Sequence, residues 1–343
     1  MERDLFVKLM AGHDSVSLAG MCKNAGKTTV LNRLLQELGE AQLSVGLTSI
    51  GRDGETVDVA TGTKKPQIYV REGSLFATAS GLLQNCDVTG EILALSGMHT
   101  PLGEVVLLRA KSDGFIDLAG PSMNLQLAKL SRWFLQQGVD KSLIDGAISR
   151  KSLCSRRVAD AVILCTGASY HRNMATVIAD TAYISRLLQL KRGADEKTVR
   201  RIEQWRQSRP QSQRLLFVDE DGNGKEPTEQ RLADVLRDKQ YQDCPYLWME
   251  GALTDAMLKP MLFSNIDCKG RTFIVEDSSK LLLGQDTFEK LEKKGVHLTV
   301  LEEICLLAVT INPFSAYGNH FDQGEFLQRM REAVSLPVLD VLH

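Results

Sequence analysis

The segment GMCKNAGKTT at residues 20–29 constrains this chain more than any other part of its sequence. The small and apolar residues just before it predict a buried strand. After it, apolar side chains recur three and four residues apart and predict an amphipathic helix that stops at Gly39. These side chains are Val30, Leu31, Leu34, Leu35 and Leu38. A strand, a tight loop ending in GKTT and a helix, in this order, form the layout of a phosphate-binding loop.

The residue types of this loop suit an anion. Gly26 has no Cβ, so the backbone can pass close to a phosphate. The amides that follow lie at a helix N-terminus, where unpaired N–H groups and the helix dipole favour negative charge. Lys27 is predicted to reach the β- and γ-phosphates of a nucleotide, and the Thr28 hydroxyl to bind Mg²⁺. The predicted nucleotide-binding residues are Lys23, Asn24, Ala25, Gly26, Lys27, Thr28 and Thr29.

The glycine spacing in the loop is one residue wider than usual. The position five residues before Gly26 is Met21, and the nearest earlier glycine is Gly20. A chance GKT at a strand–helix junction is the alternative, but the correct order of strand, loop and helix favours a phosphate-binding loop. Lys23 would complete the phosphate cradle or contact a second subunit, so a homodimer stays open.

Two carboxylates are candidates for the catalytic and metal site beside Lys27. Asp145 ends an apolar strand, and a carboxylate there suits Mg²⁺, which takes few protein ligands beside phosphate oxygens. Asp53, in the turn GRDGE, would supply a second carboxylate to the metal or orient a water, and its neighbour Arg52 would touch the γ-phosphate. The alternatives are a strand-to-helix turn at Asp145 and a simple polar turn at Asp53.

Two further segments are weaker candidates. The turn TGAS at residues 166–169 has small side chains that permit close approach to a base or a phosphate, and Asp117 lies near the end of another predicted strand, residues 115–118. Open α/β sheets bind ligands at the carboxyl ends of their strands, which is where these segments fall. The six histidines are scattered, without the HExxH spacing of a metal site.

Composition narrows the class of protein. The chain has 343 residues and a formal net charge of −2, so charge gives no reason to expect nucleic acid or an acidic membrane as a partner. Its seven cysteines form no CxxC pair, which favours reduced thiols in a cytoplasmic protein. The N-terminal segment MERDLFVK lacks the apolar stretch of a signal peptide, and no run of residues is apolar enough to predict a membrane span.

Alternating strands and helices predict an α/β fold with a mostly parallel, doubly wound sheet. Residues 1–190 are predicted to form the nucleotide-binding domain, with a β-rich insertion or an extension of the sheet edge at 66–118. Residues 191–212 read as a charged linker or a solvated helix, and 213–343 as a C-terminal α/β lobe. Whether this lobe continues the first sheet stays open. Ser122 is predicted to cap a helix in the first domain.

The loop resembles that of dethiobiotin synthetase and related P-loop proteins. That family has an acidic residue, Gly and Ala at the end of a strand, and residues 145–147, Asp-Gly-Ala, match it with Asp in place of Glu. The resemblance implies that Lys27 binds phosphate, that Thr28 and Asp145 hold Mg²⁺, and that Asp53 is a second carboxylate near the metal. Some relatives carry a lysine that crosses a dimer five residues before the loop lysine, whereas Lys23 lies four before it.

A second resemblance covers most of residues 15–190. The segments SIGRDGE, GEVVLLRAKSDGFIDLAGPS, IDGAISRKS and TGAS are similar to those of bacterial P-loop proteins associated with adenosylcobalamin-dependent lysine aminomutase. Those proteins are described as a component of its reactivase. The resemblance implies an accessory factor that helps exchange damaged cobalamin, with the aminomutase and a second reactivase subunit as partners. The absence of a cobalamin-binding DxHxxG pattern is compatible with this role.

Together these features predict a cytoplasmic, Mg²⁺-dependent NTPase that acts on a partner enzyme. ATP is favoured over GTP because no NKxD-type guanine motif follows a strand. Hydrolysis would switch contacts with the partner, with the GRDGE turn as the switch. Two alternatives stay open, namely a dethiobiotin synthetase-like ligase or kinase for a small molecule, and a nucleotide-binding scaffold without turnover.

Overall fold

The computed structural model describes residues 4–51, 67–148, 151–209, 212–229, 231–264 and 266–341. The chain has an α/β fold that divides into two compact units. The larger unit comprises residues 1–185 together with 305–343, and the second comprises 186–304. The α/β class predicted from the sequence is therefore confirmed.

The elements of the larger unit follow the chain from its N-terminus. They are α1 (Leu5–Leu9), β1 (Ser15–Gly20), α2 (Lys27–Glu40), β2 (Val45–Ser49), β3 (Ile68–Val70), β4 (Leu75–Ala79), β5 (Gly90–Thr100), β6 (Gly103–Ala110), β7 (Gly114–Ile116), α3 (Asn124–Gln136), β8 (Lys141–Ile148), β9 (Ala161–Gly167) and α4 (Met174–Leu188). The second unit begins within the last turn of α4. It contains α5 (Glu196–Ser208), β10 (Leu215–Val218), β11 (Gly224–Lys225), α6 (Leu232–Val235), β12 (Tyr246–Met249), β13 (Leu253–Thr254), α7 (Asp255–Leu262), β14 (Thr272–Val275), β15 (Leu281–Leu282), α8 (Gln285–Lys293) and β16 (His297–Val300). The chain then returns to the larger unit with β17 (Leu306–Asn312), α9 (Gln323–Ala333) and β18 (Val338–Asp340).

The larger sheet has the strand order β18-β17-β9-β1-β8-β2-β4-β6-β5. From β18 to β4 every neighbouring pair is parallel, and β6 and β5 extend the edge in antiparallel pairs. Central strands such as β1 and β9 are buried along their whole length, as expected for a parallel sheet covered on both faces. The carboxyl ends of β1, β8, β9 and β17 therefore meet along one edge of this sheet.

Helices pack on both faces of the sheet. The predicted apolar stripe of α2 is confirmed, since Val30, Leu31 and Leu34 are fully buried in the main core with alternate residues of the central strands. On the other face, Phe134 of α3 packs against Gly46 of β2, where a Cβ would lie within van der Waals overlap of the ring. Successive side chains of a strand point to opposite faces of the sheet, so each strand contributes residues to the core on both faces.

Two helix boundaries differ from the predictions. Gly39 does not stop α2, because the helix continues to Glu40 and the left-handed residue after it is Gln42. Helix α3 begins at Asn124 with Met123 in the capping position, so Ser122 is not the cap. Among the described helices, none has the length and apolar character needed to cross a lipid bilayer.

The domain boundaries also need correction. Residues 305–343 are not part of a C-terminal lobe, because β17 pairs with β9 and β18 pairs with β17 in the first sheet. The β-rich region at 66–118 contributes β4, β5 and β6 to the same sheet, so it extends the sheet edge. Residues 191–212 contain α5, whose Ile202 and Trp205 are buried in the core of the second unit. An apolar run predicts a strand well, but it does not specify which sheet the strand joins.

The second unit has its own sheet, of order β11-β10-β12-β14-β16, with β12, β14 and β16 parallel. At the amino end of β14, the guanidinium of Arg271 is almost completely buried without a carboxylate partner among the described residues. It donates to the carbonyl oxygens of Tyr241 at 2.9 Å and Cys244 at 3.3 Å, and lies 5.7 Å from the centre of the Phe217 ring. Arg271 therefore ties the segment before β12 to the start of β14.

Replacement of Arg271 by methionine is expected to destabilise the second unit by about 2–4 kcal/mol, because two buried carbonyls lose their donor. Urea unfolding followed by tryptophan fluorescence measures this, since Trp205 and Trp248 both lie in that unit's core. Arg237→Met is the control, because Arg237 is exposed and pairs with Asp234 of the same turn. Equal unfolding midpoints for the two variants would contradict the role given to Arg271.

Candidate functional site

The loop between β1 and α2 turns sharply just before the helix. Asn24 and Gly26 both adopt the left-handed conformation, with φ of 60° and 88°. The left-handed conformation favours glycine because glycine lacks a Cβ. Gly26 is the residue immediately before the helix. The N-cap residue Gly26 has no side chain that could cap the first turn of α2, and the amides of a helix N-terminus favour an anion.

The side chain of Lys27 folds back over the start of the loop. A Cβ placed on Gly20 would lie 2.8 Å from the Lys27 ammonium nitrogen and 3.0 Å from its Cδ. Gly20 therefore leaves room for the Lys27 side chain in this position, and a larger residue there would displace the flexible end of the lysine. Met21, at the usual glycine position, has a different role.

Met21 anchors the loop to neighbouring elements. Its N–H donates to the carbonyl oxygen of Cys165, the strand neighbour at the end of β9, at 2.9 Å. Its sulfur lies 3.2 Å from the hydroxyl of Thr181 on α4, which is itself 3.1 Å from the Thr166 hydroxyl. Thr181 donates to the Val177 carbonyl at 2.6 Å, so the sulfur contact is a packing contact.

Two thiols lie next to the loop lysine. Burial raises the pKa of Cys22 to about 11, and the Lys27 ammonium acts in the opposite direction. Burial also raises the pKa of Cys165 to about 11, while Lys27 lowers it and the Asp145 carboxylate adds to the increase. The charges of Lys27 and Asp145 thus both act on the thiol of Cys165. The raised pKa values keep both cysteines protonated near neutral pH and argue against a thiolate nucleophile here.

Asp145 lies on the strand next to β1, but it does not end that strand as predicted, because β8 continues to Ile148. It is half-buried in β8, and its strand neighbours are Leu18 of β1 and Ser49 of β2. The next residue, Gly146, is pressed against β1 so closely that a Cβ would overlap the carbonyl oxygen of Leu18. This explains why glycine follows the carboxylate, since a larger residue would push β8 away from the loop strand.

The C-terminal strands form the opposite wall of the loop, which the sequence did not reveal. A Cβ on Gly26 would lie 3.2 Å from the Cβ of Asn312 and 3.6 Å from a methyl of Val341. A Cβ on Gly167 would overlap the Asn312 carbonyl oxygen, so Gly167 permits β9 and β17 to run close together at their ends. No motif links residues so far apart in the chain. The only available signal was an apolar run, residues 306–311, that ends in Asn312.

The turn TGAS joins this wall. The Ala168 N–H donates to the Asn312 carbonyl at 2.9 Å, and the Asn319 side chain donates to the Ala168 carbonyl at 3.4 Å. The loop after β17 therefore packs on the loop after β9. It presents Phe314 and Tyr317 to solvent, with 48% and 54% of their surface exposed.

The other residues predicted for the site are placed as follows. Asp53 and Arg52 lie outside the described residues. The Asp117 carboxylate accepts a hydrogen bond from Asn85 at 3.3 Å, and its carbonyl accepts one from Thr78 of β4. That strand is two places away from β8 in the sheet. In the loop, Ala25 is fully buried, whereas Lys23, Asn24, Lys27, Thr28 and Thr29 are half-buried.

A second unpredicted residue lies at the carboxyl end of β2. Ser49 is only 5% exposed, and among the described residues its hydroxyl has no hydrogen-bond partner. Serine in an apolar strand gives no functional signal in a sequence. Its importance is visible only because β2 pairs with β8 and brings Ser49 beside Asp145.

The donor set suits Mg²⁺ held together with phosphate. Within the described part of the chain, no group of three or more His, Cys, Asp or Glu side chains is placed to hold a metal ion. Mg²⁺ keeps several waters and usually takes one or two carboxylates plus substrate phosphates. Asp145, the first turn of α2 and the unsatisfied hydroxyl of Ser49 fit that requirement, whereas a closed structural metal site would need more ligands.

Comparison of the chain with protein-family models gave no match. Comparisons with curated proteins and with solved structures likewise gave none.

Proposed function

We propose that this protein binds a nucleoside triphosphate with Mg²⁺ on the loop at residues 20–29 and hydrolyses it, as a P-loop ATPase. The observation that carries the proposal is the position of the Lys27 ammonium over Gly20, at the N-terminus of a helix and in electrostatic range of the same thiol as Asp145. A cation, free amides and a nearby carboxylate are the three requirements for a metal–triphosphate complex.

The two sides of the loop differ in chemistry and suggest how the nucleotide is oriented. Asp145 lies on the β8 side, so the terminal phosphate and the metal belong there. The nucleoside then extends towards β9 and β17, where Asn312 and the loop with Phe314 and Tyr317 lie. Exposed aromatic rings next to a polar amide suit a purine, which offers a flat face and hydrogen-bonding edges.

The chain's own groups bind and orient the phosphates. The α2 amides would donate to phosphate oxygens, and Lys27 would neutralise charge that grows on them as the terminal bond breaks. Bound Mg²⁺ would supply further charge neutralisation. Thr28 and Asp145 would hold the metal, and Asp53 remains the second carboxylate that the sequence predicts.

The proposed role is that of an accessory or reactivating factor for a partner enzyme. Support for this role comes from the sequence resemblance to the reactivase component associated with adenosylcobalamin-dependent lysine aminomutase. ATP hydrolysis by the full chain, measured with and without such an aminomutase, tests it. Stimulation by the aminomutase supports the role, whereas hydrolysis that appears only with a small-molecule substrate supports the dethiobiotin synthetase-like alternative. Binding without any turnover supports a scaffold.

Replacement of Asp145 by asparagine is expected to lower Mg²⁺-dependent hydrolysis by about tenfold or more while changing nucleotide affinity much less, because the metal loses an anionic ligand. Single-turnover hydrolysis and equilibrium titration with a fluorescent ATP analogue measure the two effects. Asp140→Asn is the matched control, since Asp140 precedes the opposite end of β8 and accepts hydrogen bonds from Ser44. Equal losses of binding and hydrolysis in Asp145→Asn would remove Asp145 from the metal site.

A further inference from the structure

The buried hydroxyl of Ser49 needs an explanation. Ser49 is only 5% exposed, and its hydroxyl oxygen has essentially no exposed surface. Within the described chain this oxygen has no hydrogen-bond partner. An unsatisfied buried polar group costs about 1–3 kcal/mol, and such groups are uncommon in native proteins. Alanine would avoid this cost at the same position. The serine therefore suggests a partner that is absent from the protein alone.

Strand register places this hydroxyl on the same face of the sheet as the Asp145 carboxylate. Ser49 and Asp145 are direct neighbours in the parallel pair of β2 and β8, and Asp145 in turn neighbours Leu18 of β1. Direct neighbours in a sheet point to the same side. Leu18 belongs to the core that α2 covers, so the row faces α2, whose first residues are Lys27 and Thr28.

The opposite side of β2 is closed at this point. A Cβ on Gly120 would lie 2.8 Å from the Thr48 hydroxyl and would overlap the Ser49 carbonyl oxygen. Thr48 points away from α2, because side chains alternate along a strand. The segment around Gly120 therefore covers the other face, and the Ile50 N–H donates to the Asp145 carbonyl at 2.9 Å, which fixes the ends of the two strands together.

From this arrangement we infer that Ser49 is an outer ligand of the metal, whose hydroxyl oxygen accepts a hydrogen bond from a water bound to Mg²⁺. Mg²⁺ retains several waters when it binds to proteins, and these waters donate to nearby oxygen atoms. A serine hydroxyl can accept such a bond while it donates another. The inference rests on the proposed function and adds to it a residue that holds the hydrated metal ion beside Asp145.

The test is Ser49→Ala in the full chain, with stability and ligand binding measured separately. Without ligands, the thermal midpoint is expected to stay the same or to rise slightly, because an unsatisfied hydroxyl is removed. The affinity for ATP in EDTA is expected to be unchanged. The gain in ATP affinity on adding Mg²⁺ is expected to fall about three- to tenfold, as for the loss of one hydrogen bond.

Ser142→Ala is the matched control. Ser142 is a fully buried serine of β8, and its hydroxyl bonds to that of Ser131 at 2.8 Å. This variant is expected to lower the thermal midpoint and to keep the full effect of Mg²⁺, which is the reverse of the result for Ser49→Ala.

Two results would overturn the inference while leaving the nucleotide site intact. One is an unchanged Mg²⁺ effect in Ser49→Ala, and the other is a clear loss of stability of that variant without ligands, which would reveal a partner within the protein. Absence of any Mg²⁺-dependent ATP binding by the unsubstituted chain would overturn the proposed function and this inference with it.

Discussion

Replacement of Lys27 by alanine is expected to abolish nucleotide binding, with an affinity for ATP at least about 100-fold lower than that of the unsubstituted chain. The ammonium lies over Gly20 at the start of the loop, and under the proposed function it meets the terminal phosphates. In the alanine variant, water would have to replace the hydrogen bonds that the ammonium is proposed to donate to phosphate. Charge-assisted hydrogen bonds are stronger than neutral ones, so the affinity is expected to fall. Isothermal titration with ATP and Mg²⁺ measures the effect.

Two controls distinguish lost binding from lost folding. Lys111→Ala removes an exposed lysine paired with Glu91 on the sheet edge and is expected to bind ATP normally. The urea midpoint of Lys27→Ala without nucleotide is expected to stay close to that of the unsubstituted chain, because Lys27 is half-buried at the start of a helix. Unchanged ATP affinity in Lys27→Ala would defeat the proposal of a phosphate-binding loop.

Replacement of Gly146 by alanine is expected to produce the largest loss of stability, about 3 kcal/mol or more. The new methyl group would overlap the backbone carbonyl of Leu18, which cannot move without breaking the pairing of β1 with β8. The same displacement would move Asp145 relative to the loop, so nucleotide binding is expected to weaken in whatever fraction folds. Urea unfolding followed by circular dichroism, together with ATP titration, measures both effects.

Gly324→Ala tests whether any added methyl group has this effect. Gly324 lies in α9, and the nearest atom to its added Cβ would be a carboxylate oxygen of Asp322 at 3.5 Å, an ordinary contact. This variant is expected to change stability by at most about 1 kcal/mol, in the stabilising direction, because alanine favours helix more than glycine does. Similar stability of Gly146→Ala and Gly324→Ala would show that β8 tolerates a side chain at Gly146.

Local sequence patterns predicted local structure well. The apolar stripe of α2 and the α/β class both agree with the structure. Helix ends were less predictable, since Gly39 is accommodated inside α2, where the Arg71 side chain packs against it. The sequence alone does not distinguish a glycine that makes room for a neighbouring side chain from a glycine that ends a helix.

Long-range pairing was the part that the sequence could not supply. The run at residues 306–311 is apolar, as in a buried strand, yet nothing in it indicates that β17 joins β9. For the same reason Asn312 and Ser49 were missed in the candidate site, since each reaches it only through strand pairing. Asp145 was found because a carboxylate at the end of an apolar strand is a recognisable chemical signal, whereas a lone serine or asparagine is not.

The return of the chain to the first sheet has a consequence for biosynthesis. The ribosome delivers residues 186–304 before β17 and β18, so the second unit can acquire its structure while the larger sheet still lacks two strands. Asn312 and Val341 reach Gly26 only when translation has passed them. A nascent protein halted before residue 312 would carry the whole GKTT loop yet lack the strand residues that pack against Gly26.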